Sequence, residues 1–170
     1  MYFVLLPNKQ YFQLIIDETR NFSFETSKDN MILDMKVQGS KENQLFYEYQ
    51  KFTQRKGIQA QPLKNQLKTL EKDTRKYDKI KKQLKEIDDE VTDFKLDYMQ
   101  QHFSTFFVKL LSAMEPIVVP ESPLLEDGTV DSKFQYNYYK KHYWDLFDLK
   151  DDRMVRTPIF HGRMEKYLLE

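Results

Sequence analysis

The 170-residue sequence contains no cysteine and only three histidines. Without cysteine the chain has no disulfide, no thiolate metal ligand and no dithiol redox chemistry of its own. The lack of disulfides does not fix the compartment, because a chain of this length buries enough apolar surface to fold without them. His142 and Asp145, at positions i and i+3, offer two metal ligands, and no third is evident near them. We therefore expect no metal site and no cofactor.

The charge is balanced, with 27 basic and 27 acidic residues. Such a chain has no overall field that attracts nucleic acid or an anionic membrane, and we expect neither as a partner. The opening residues 1–7 carry no basic leader and are too few to cross a bilayer, so they predict a strand, with no signal peptide and no membrane insertion by this segment.

Residues suited to catalysis are present, but no pattern joins them. Ser104, Ser132 and Thr157 stand at positions where helix caps are expected, and no base is marked beside them. The carboxylate pairs at 88–89 and 151–152 lie in charged stretches, where solvated faces or N-caps are expected and ordinary pKa values follow. We expect the protein not to be an enzyme.

The first 38 residues alternate apolar and polar side chains in short runs separated by turn residues. This pattern predicts four antiparallel strands at 2–6, 11–16, 21–26 and 31–37, with turns at 7–9, 17–18 and 27–30. One face of such a meander is apolar, so it needs a partner layer.

At residues 37–44 the apolar spacing changes from two to about 3.6, with Gly39 at the turn and Ser40 as the predicted N-cap. A helix follows to Gly57, and Pro62 fits the first turn of a second helix. A heptad seam then occupies 77–98, at Tyr77, Ile80, Leu84, Ile87, Val91, Phe94 and Tyr98.

The heptad seam has two interpretations. Pairing with the 41–56 helix of the same chain is favoured, because tyrosines and a phenylalanine at seam positions suit packing within one chain. A homodimer through residues 77–98 is the alternative. The residues at 73–76 weaken the pattern, so one long helix from 63 to 102 and two collinear helices both remain open.

Three further helices are predicted after residue 103. The first begins at Ser104, with Phe103 and Val108 as a hydrophobic staple, and prolines at 116, 120 and 123 then impose an extended segment. The second begins at a capping box of Ser132 and Gln135, and the third at Thr157 followed by Pro158. Their predicted inward residues are Tyr136, Tyr139, Tyr143 and Leu146, and then Phe160, Met164 and Leu168.

These elements predict an α+β chain: a short antiparallel β-meander, residues 1–39, followed by a mainly α-helical domain, residues 40–170, with a long heptad-patterned helix. The C-terminal quarter is dense in tryptophan, tyrosine and arginine, which are frequent anchors of protein interfaces. Trp144, Arg153 and Arg156 are the predicted partner-binding residues.

Three stretches carry a resemblance to a known family: residues 37–50, 134–145 and 151–167. They resemble the uncharacterised helical domain that precedes the thioredoxin-like domain in envelope thiol:disulfide interchange proteins of Bacteroides-type bacteria. Residues 1–38 resemble the end of the small β domain that comes before it there. The resemblance covers nearly the whole chain.

The resemblance implies a protein of the periplasm or cell envelope whose redox work is done by a later Cys-x-x-Cys domain. The partner it implies is that downstream thioredoxin-like domain or an envelope client protein. It transfers no catalytic residue to this chain, which has no cysteine. The expected function is a non-catalytic accessory or partner-binding module, and the alternative is a self-standing helical interaction or oligomerisation protein with no redox link.

Overall fold

The computed structural model describes residues 1–7, 9–17, 21–72 and 74–169. The chain divides into two compact units, Met1–Phe103 and Ser104–Glu170. Short antiparallel strands precede a mainly helical region, and the α+β prediction is confirmed. The predicted turns at 7–9 and 17–18 and the weak stretch at 73–76 include residues 8, 18 and 73, which lie outside the described residues.

Four strands form two separate antiparallel pairs in the first unit. β1 (Tyr2–Leu5) pairs with β2 (Tyr11–Leu14), and β3 (Ser23–Glu25) pairs with β4 (Lys36–Gln38). The inner face of β2 carries the buried Phe12 and Leu14, and the Phe12 ring contacts Phe24 of β3 at 5.0 Å. The two pairs are therefore joined through apolar side chains.

The predicted fourth strand, at 31–37, is wrong in its first part. Residues 31–34 form a turn in which Asp34 N donates to Asn30 O at 2.9 Å. Ser27 Oγ donates to the Asp34 carboxylate at 2.6 Å and accepts from Asn30 N. These local side-chain hydrogen bonds compete with the hydrogen bonds of a strand pair, so β4 begins only at Lys36.

The first helix, α1 (Lys41–Thr69), begins as predicted at Ser40, whose side chain accepts a hydrogen bond from Asn43 N. Gly39 adopts φ 85°, which favours glycine and turns the chain out of β4. The predicted end at Gly57 and new start at Pro62 are wrong, because the helix continues through both. Pro62 and Ile58 are exposed, so water can bond the Ile58 carbonyl that proline leaves without an N–H donor.

The second helix, α2 (Arg75–Gln101), returns antiparallel to α1. None of the heptad residues is exposed: Ile80 and Tyr98 are buried and the others are half-buried. Phe94 stacks on Phe52 at 3.8 Å between ring centroids, and Tyr98 Oη donates to Leu45 O at 2.8 Å. The seam therefore packs on α1, and neither one continuous helix nor two collinear ones is present.

The second unit contains α3 (Phe106–Met114), α4 (Phe134–His142), α5 (Asp152–Val155) and α6 (Pro158–Leu169). Two predicted caps are wrong. Thr105, not Ser104, caps α3, with its side chain accepting from Val108 N. The capping box at Ser132 does not form, and Asp131 accepts from Lys133 N instead. This bond lies before α4, whose N-cap residue, Lys133, makes no side-chain capping hydrogen bond.

The last helix begins as predicted, with Thr157 buried and accepting from Phe160 N before Pro158. The inward faces are only partly right: Tyr143 is buried, whereas Tyr136, Leu146 and Leu168 are exposed.

The predicted division at residues 39 and 40 coincides with the change from strands to helices at Ser40. The first compact unit nevertheless contains α1 and α2 together with the strands. Among the described residues, the hydropathy of each helix is too low, or its length too short, for a membrane span.

Candidate partner-binding surface

Trp144, the first predicted anchor, lies in an aromatic cluster of the second unit. Its ring contacts Phe147, Phe160 and Tyr167 at centroid distances of 5.5 to 6.0 Å, and the residue is half-buried. Packing of this kind stabilises the unit beyond the burial of area alone. Trp144 is therefore held in the aromatic cluster and is only partly accessible to a partner.

Arg153, the second predicted anchor, is engaged in holding α5. Its Nε and Nη2 donate to the two oxygens of Asp151 at 2.8 and 2.6 Å, and its guanidinium lies 4.6 Å from the Phe106 ring centroid. The hydrogen bonds from Arg153, assisted by Lys109, hold the pKa of the Asp151 carboxyl well below its usual range. Asp151 also caps α5 by accepting from Arg153 N, so this cluster has a structural role.

Arg156, the third predicted anchor, is exposed at the C-terminal end of α5. Among the described residues its hydrogen bonds are those of the backbone, with Arg156 N donating to Arg153 O. In the described part of the chain its guanidinium forms no side-chain hydrogen bond or ion pair, whereas that of Arg153 bonds Asp151.

A groove of about 460 Å³ opens beside this region, within the second unit. One wall is the end of α3 and the extended segment after it, the second is α4 with Tyr143, and the third is one face of α6. The lining residues are Ala113, Met114, Glu115, Pro116, Ile117, Tyr139, Tyr143, Ile159, Gly162, Arg163 and Lys166. The walls are mostly apolar and aromatic, with charged groups at a few points, as in many binding sites.

Arg163 fixes the three walls relative to one another. Its guanidinium donates to the backbone oxygens of Ala113 and Tyr143 and lies 4.8 Å from the Tyr143 ring centroid. Tyr143 Oη donates in return to Arg163 O at 2.8 Å. The guanidinium carries several N–H donors in a rigid plane and can bridge two carbonyls in a fixed geometry. A lysine ammonium is a point charge without this planar arrangement of donors.

Gly162 leaves open space on the α6 side of the groove. A Cβ built there meets no heavy atom within 4 Å. A larger side chain at 162, a position that lines the groove, can therefore be added without displacing the core, so this position suits a steric test of binding.

The sequence motifs did not predict the groove or its organising residue, Arg163. The signals were a glycine and an arginine adjacent in a helix, with Ile159 and Lys166 one turn to either side. On α6 these side chains lie on nearly the opposite side of the helix from the predicted inward residues Phe160, Met164 and Leu168, so the predicted inward face did not include them.

His142 and Asp145 are the possible pair of metal ligands that the sequence offers. His142 Nδ1 and Asp145 Oδ2 lie 2.6 Å apart, as their spacing predicts, and no group of three possible metal ligands was found among the described residues. The groove is lined by aromatic and apolar side chains with a few charged groups, a composition typical of protein interfaces.

Comparisons with protein-family models, with curated proteins and with solved structures gave no match to this chain.

Proposed function

We propose that the chain is a non-catalytic accessory module of an envelope thioredoxin-like thiol:disulfide interchange protein, and that it binds the thioredoxin-like domain, or an envelope client, through the groove of the second unit. The observation that carries the proposal is that the stretches resembling the family also line the groove. Two of the three stretches that resemble the family, 134–145 and 151–167, supply six of the residues that line the groove: Tyr139, Tyr143, Ile159, Gly162, Arg163 and Lys166.

The chemistry of the groove fits a protein partner. Aromatic rings contribute binding area at low conformational cost, and arginine is enriched at interface anchors. Arg156, exposed just before α6, adds a cation near the start of one wall. The absence of cysteine leaves thiol chemistry to the partner.

The proposal is tested by calorimetric titration of the chain with a thioredoxin-like domain from this class of envelope proteins. Gly162→Leu is expected to weaken binding by about tenfold or more, because the side chain occupies the groove. Gly162→Ala is the matched control: it adds one methyl group, favours the helix by about 0.5–1 kcal/mol and leaves most of the groove open.

Arg156→Ala is the second test, since the side chain is exposed and its loss should weaken docking without unfolding the unit. Arg153→Ala is expected to lower the stability of the unit as well, because Arg153 holds the cap of α5. Equal affinity of Gly162→Leu and the unmodified chain would exclude the groove as the docking site.

The alternative function, a self-standing helical interaction or oligomerisation protein, draws support from one observation. Most seam residues of α2, including Leu84, Ile87 and Val91, are half-buried rather than buried. A two-helix layer leaves such flanks open for further helices. A dimer that dissociates when residues 77–98 are changed, together with no affinity for a thioredoxin-like domain, would favour this function.

A further inference from the structure

The charge of the chain is balanced overall but is unevenly placed along α1 and α2. Residues 64–85, which end α1 and begin α2, contain nine basic and three acidic residues, a net charge of +6. Residues 86–97, next along α2, contain six acidic residues and one lysine, a net charge of −5. The overall balance therefore does not describe the electrostatic field at either segment. We call residues 64–85 the basic tip.

The basic tip lies at the end of the α1–α2 hairpin that is remote from the strands. The α1 side chains of Asn43, Tyr47 and Lys51 hydrogen-bond the strand region. From Lys51 to Thr69 the helix runs on for about 27 Å, at about 1.5 Å per residue. α2 begins at Arg75 and returns along α1, so the basic tip forms the outer end of the hairpin.

The cations of the basic tip are accessible and mostly lack counter-charges. All nine basic side chains are exposed. Lys82 and Lys85 form ion pairs one turn along α2, with Glu86 at 3.9 Å and with Asp89 at 2.6 Å. Among the described residues the other seven cations, from 64 to 81, form no ion pair. Cations held together without counter-charges give a positive local potential that attracts polyanions.

The composition and placement of these cations favour a flat anionic surface over a nucleic-acid groove. Eight of the nine are lysines, point charges that need no fixed geometry, whereas arginine forks and aromatic stacking are typical of nucleic-acid recognition. The one aromatic ring of the basic tip, Tyr77, is half-buried in the seam. By helical spacing Lys76 and Lys81 lie on opposite flanks of α2, with Lys82 on the outer face between them. The cations therefore surround the end of the hairpin instead of forming one stripe along it.

We propose that the basic tip binds the surface of a bilayer that contains anionic phospholipids, with the end of the hairpin towards the bilayer. Residues 64–69 and 75–82 extend about 10 Å from that end, which is about the screening length at about 0.1 M salt. The acidic residues 86–97 begin about 16 Å from the same end. They lie beyond the screening length when the end faces the bilayer, and the surface repels them when the hairpin lies flat.

Co-sedimentation of the full chain with unilamellar vesicles tests the proposal. The chain should bind vesicles of phosphatidylcholine mixed with phosphatidylglycerol and should not bind phosphatidylcholine alone, because only the mixture carries a net negative charge. Binding should weaken steeply between about 0.05 and about 0.5 M salt, since screening shortens the reach of each cation.

Three lysines of the basic tip are replaced together: Lys68→Gln, Lys72→Gln and Lys76→Gln. Each lysine near an anionic surface contributes about fivefold to affinity, so this triple variant should bind at least about tenfold more weakly. The matched control removes the same charge near the strands and should bind as the unmodified chain does: Lys28→Gln, Lys36→Gln and Lys41→Gln. All six side chains are exposed, and similar urea midpoints show that each variant is folded.

Two further measurements separate charge from geometry and establish the orientation. The charge-conserving variant, Lys68→Arg, Lys72→Arg and Lys76→Arg, should keep vesicle binding. Because the chain has no cysteine, a single introduced one can carry an environment-sensitive dye. Gln66→Cys places the dye in the basic tip and Gln100→Cys places it at the other end of α2, both at exposed positions. Vesicles should shift the emission of the dye at 66 and leave that at 100 unchanged.

Four results would overturn the proposal. No binding to anionic vesicles, or equal binding to neutral ones, excludes an anionic bilayer as the partner. Equal losses in the two triple glutamine variants exclude the basic tip. Tighter binding to a DNA duplex than to vesicles, at the same phosphate concentration and salt, identifies nucleic acid as the partner. A larger emission change at 100 than at 66 excludes the end-on orientation. None of these measurements involves the groove or a thioredoxin-like domain, so the proposed function is tested separately.

Discussion

Replacement of Asn43 should lower the free energy of unfolding of the first unit more than a substitution of similar size at an exposed position. Asn43 is completely buried, and its amide serves both backbone groups of Ile15, which is also completely buried. Its Nδ2 also donates to Ser40 Oγ at 2.8 Å. The side chain thus replaces a neighbouring strand for Ile15 and ties β2 to the first turn of α1.

The magnitude follows from the two groups that Asn43→Ala leaves unpaired. An unpaired buried N–H or C=O costs about 1–3 kcal/mol, so the loss should be about 2–6 kcal/mol before any cavity is counted. Asn65→Ala is the control on the same helix, because Asn65 is exposed and its partner is Gln61; it should stay within about 0.5 kcal/mol.

The assay is urea denaturation followed by far-ultraviolet circular dichroism, with amide exchange at Ile15. Asn43→Ala should lower the midpoint clearly and expose the Ile15 amide. Equal midpoints for the two alanine variants, or an Ile15 amide still protected in Asn43→Ala, would refute the reasoning.

Three further predictions concern the seam, the tyrosines and the lack of thiol chemistry. In the same denaturation assay, Leu84→Ala and Ile87→Ala should each lower the free energy of unfolding by about 1–3 kcal/mol. This is less than at fully buried sites, because both residues are half-buried. The control, Lys85→Ala, should change the free energy of unfolding by less than about 0.5 kcal/mol. Burial raises the pKa of Tyr47 to about 12. Burial, together with the nearby Glu48 carboxylate, also raises the pKa of Tyr98 above its ordinary value. The unfolded chain therefore releases these protons first, so the stability should fall as the pH rises above about 10, and a flat profile there would contradict the assignment. The chain alone should reduce insulin no faster than buffer, and a faster rate would show chemistry that a chain without cysteine cannot supply.

The periodic features of the fold were predictable from the sequence. Heptad spacing identified the face of α2 that packs on α1, and Gly39 with Ser40 located the start of α1, because both signals are local. Pro62 misled the prediction, since its effect depends on whether the carbonyl one turn earlier faces water. The choice of Thr105 over Ser104 was equally hidden, because both side chains can cap a helix and packing selects between them.

The groove could not be predicted, because it depends on residues that are distant in sequence. Arg163 bonds a carbonyl 50 residues earlier, at Ala113. Helical spacing shows which residues share a face, but it does not show which face meets another helix or where a gap remains. Trp144 and Arg153 were identified as anchors from composition, and their packing against Phe147 and Asp151 became visible only in the folded unit.

Chemical-shift mapping tests the central proposal most directly. The isotope-labelled chain is titrated with a thioredoxin-like domain of the envelope interchange class, and the shifted amides are assigned. The account predicts shifts concentrated at the groove, around Tyr139, Ile159 and Gly162, and at Arg156, with the α1–α2 hairpin unchanged. No shift at saturating domain, or shifts confined to residues 77–98, would contradict it.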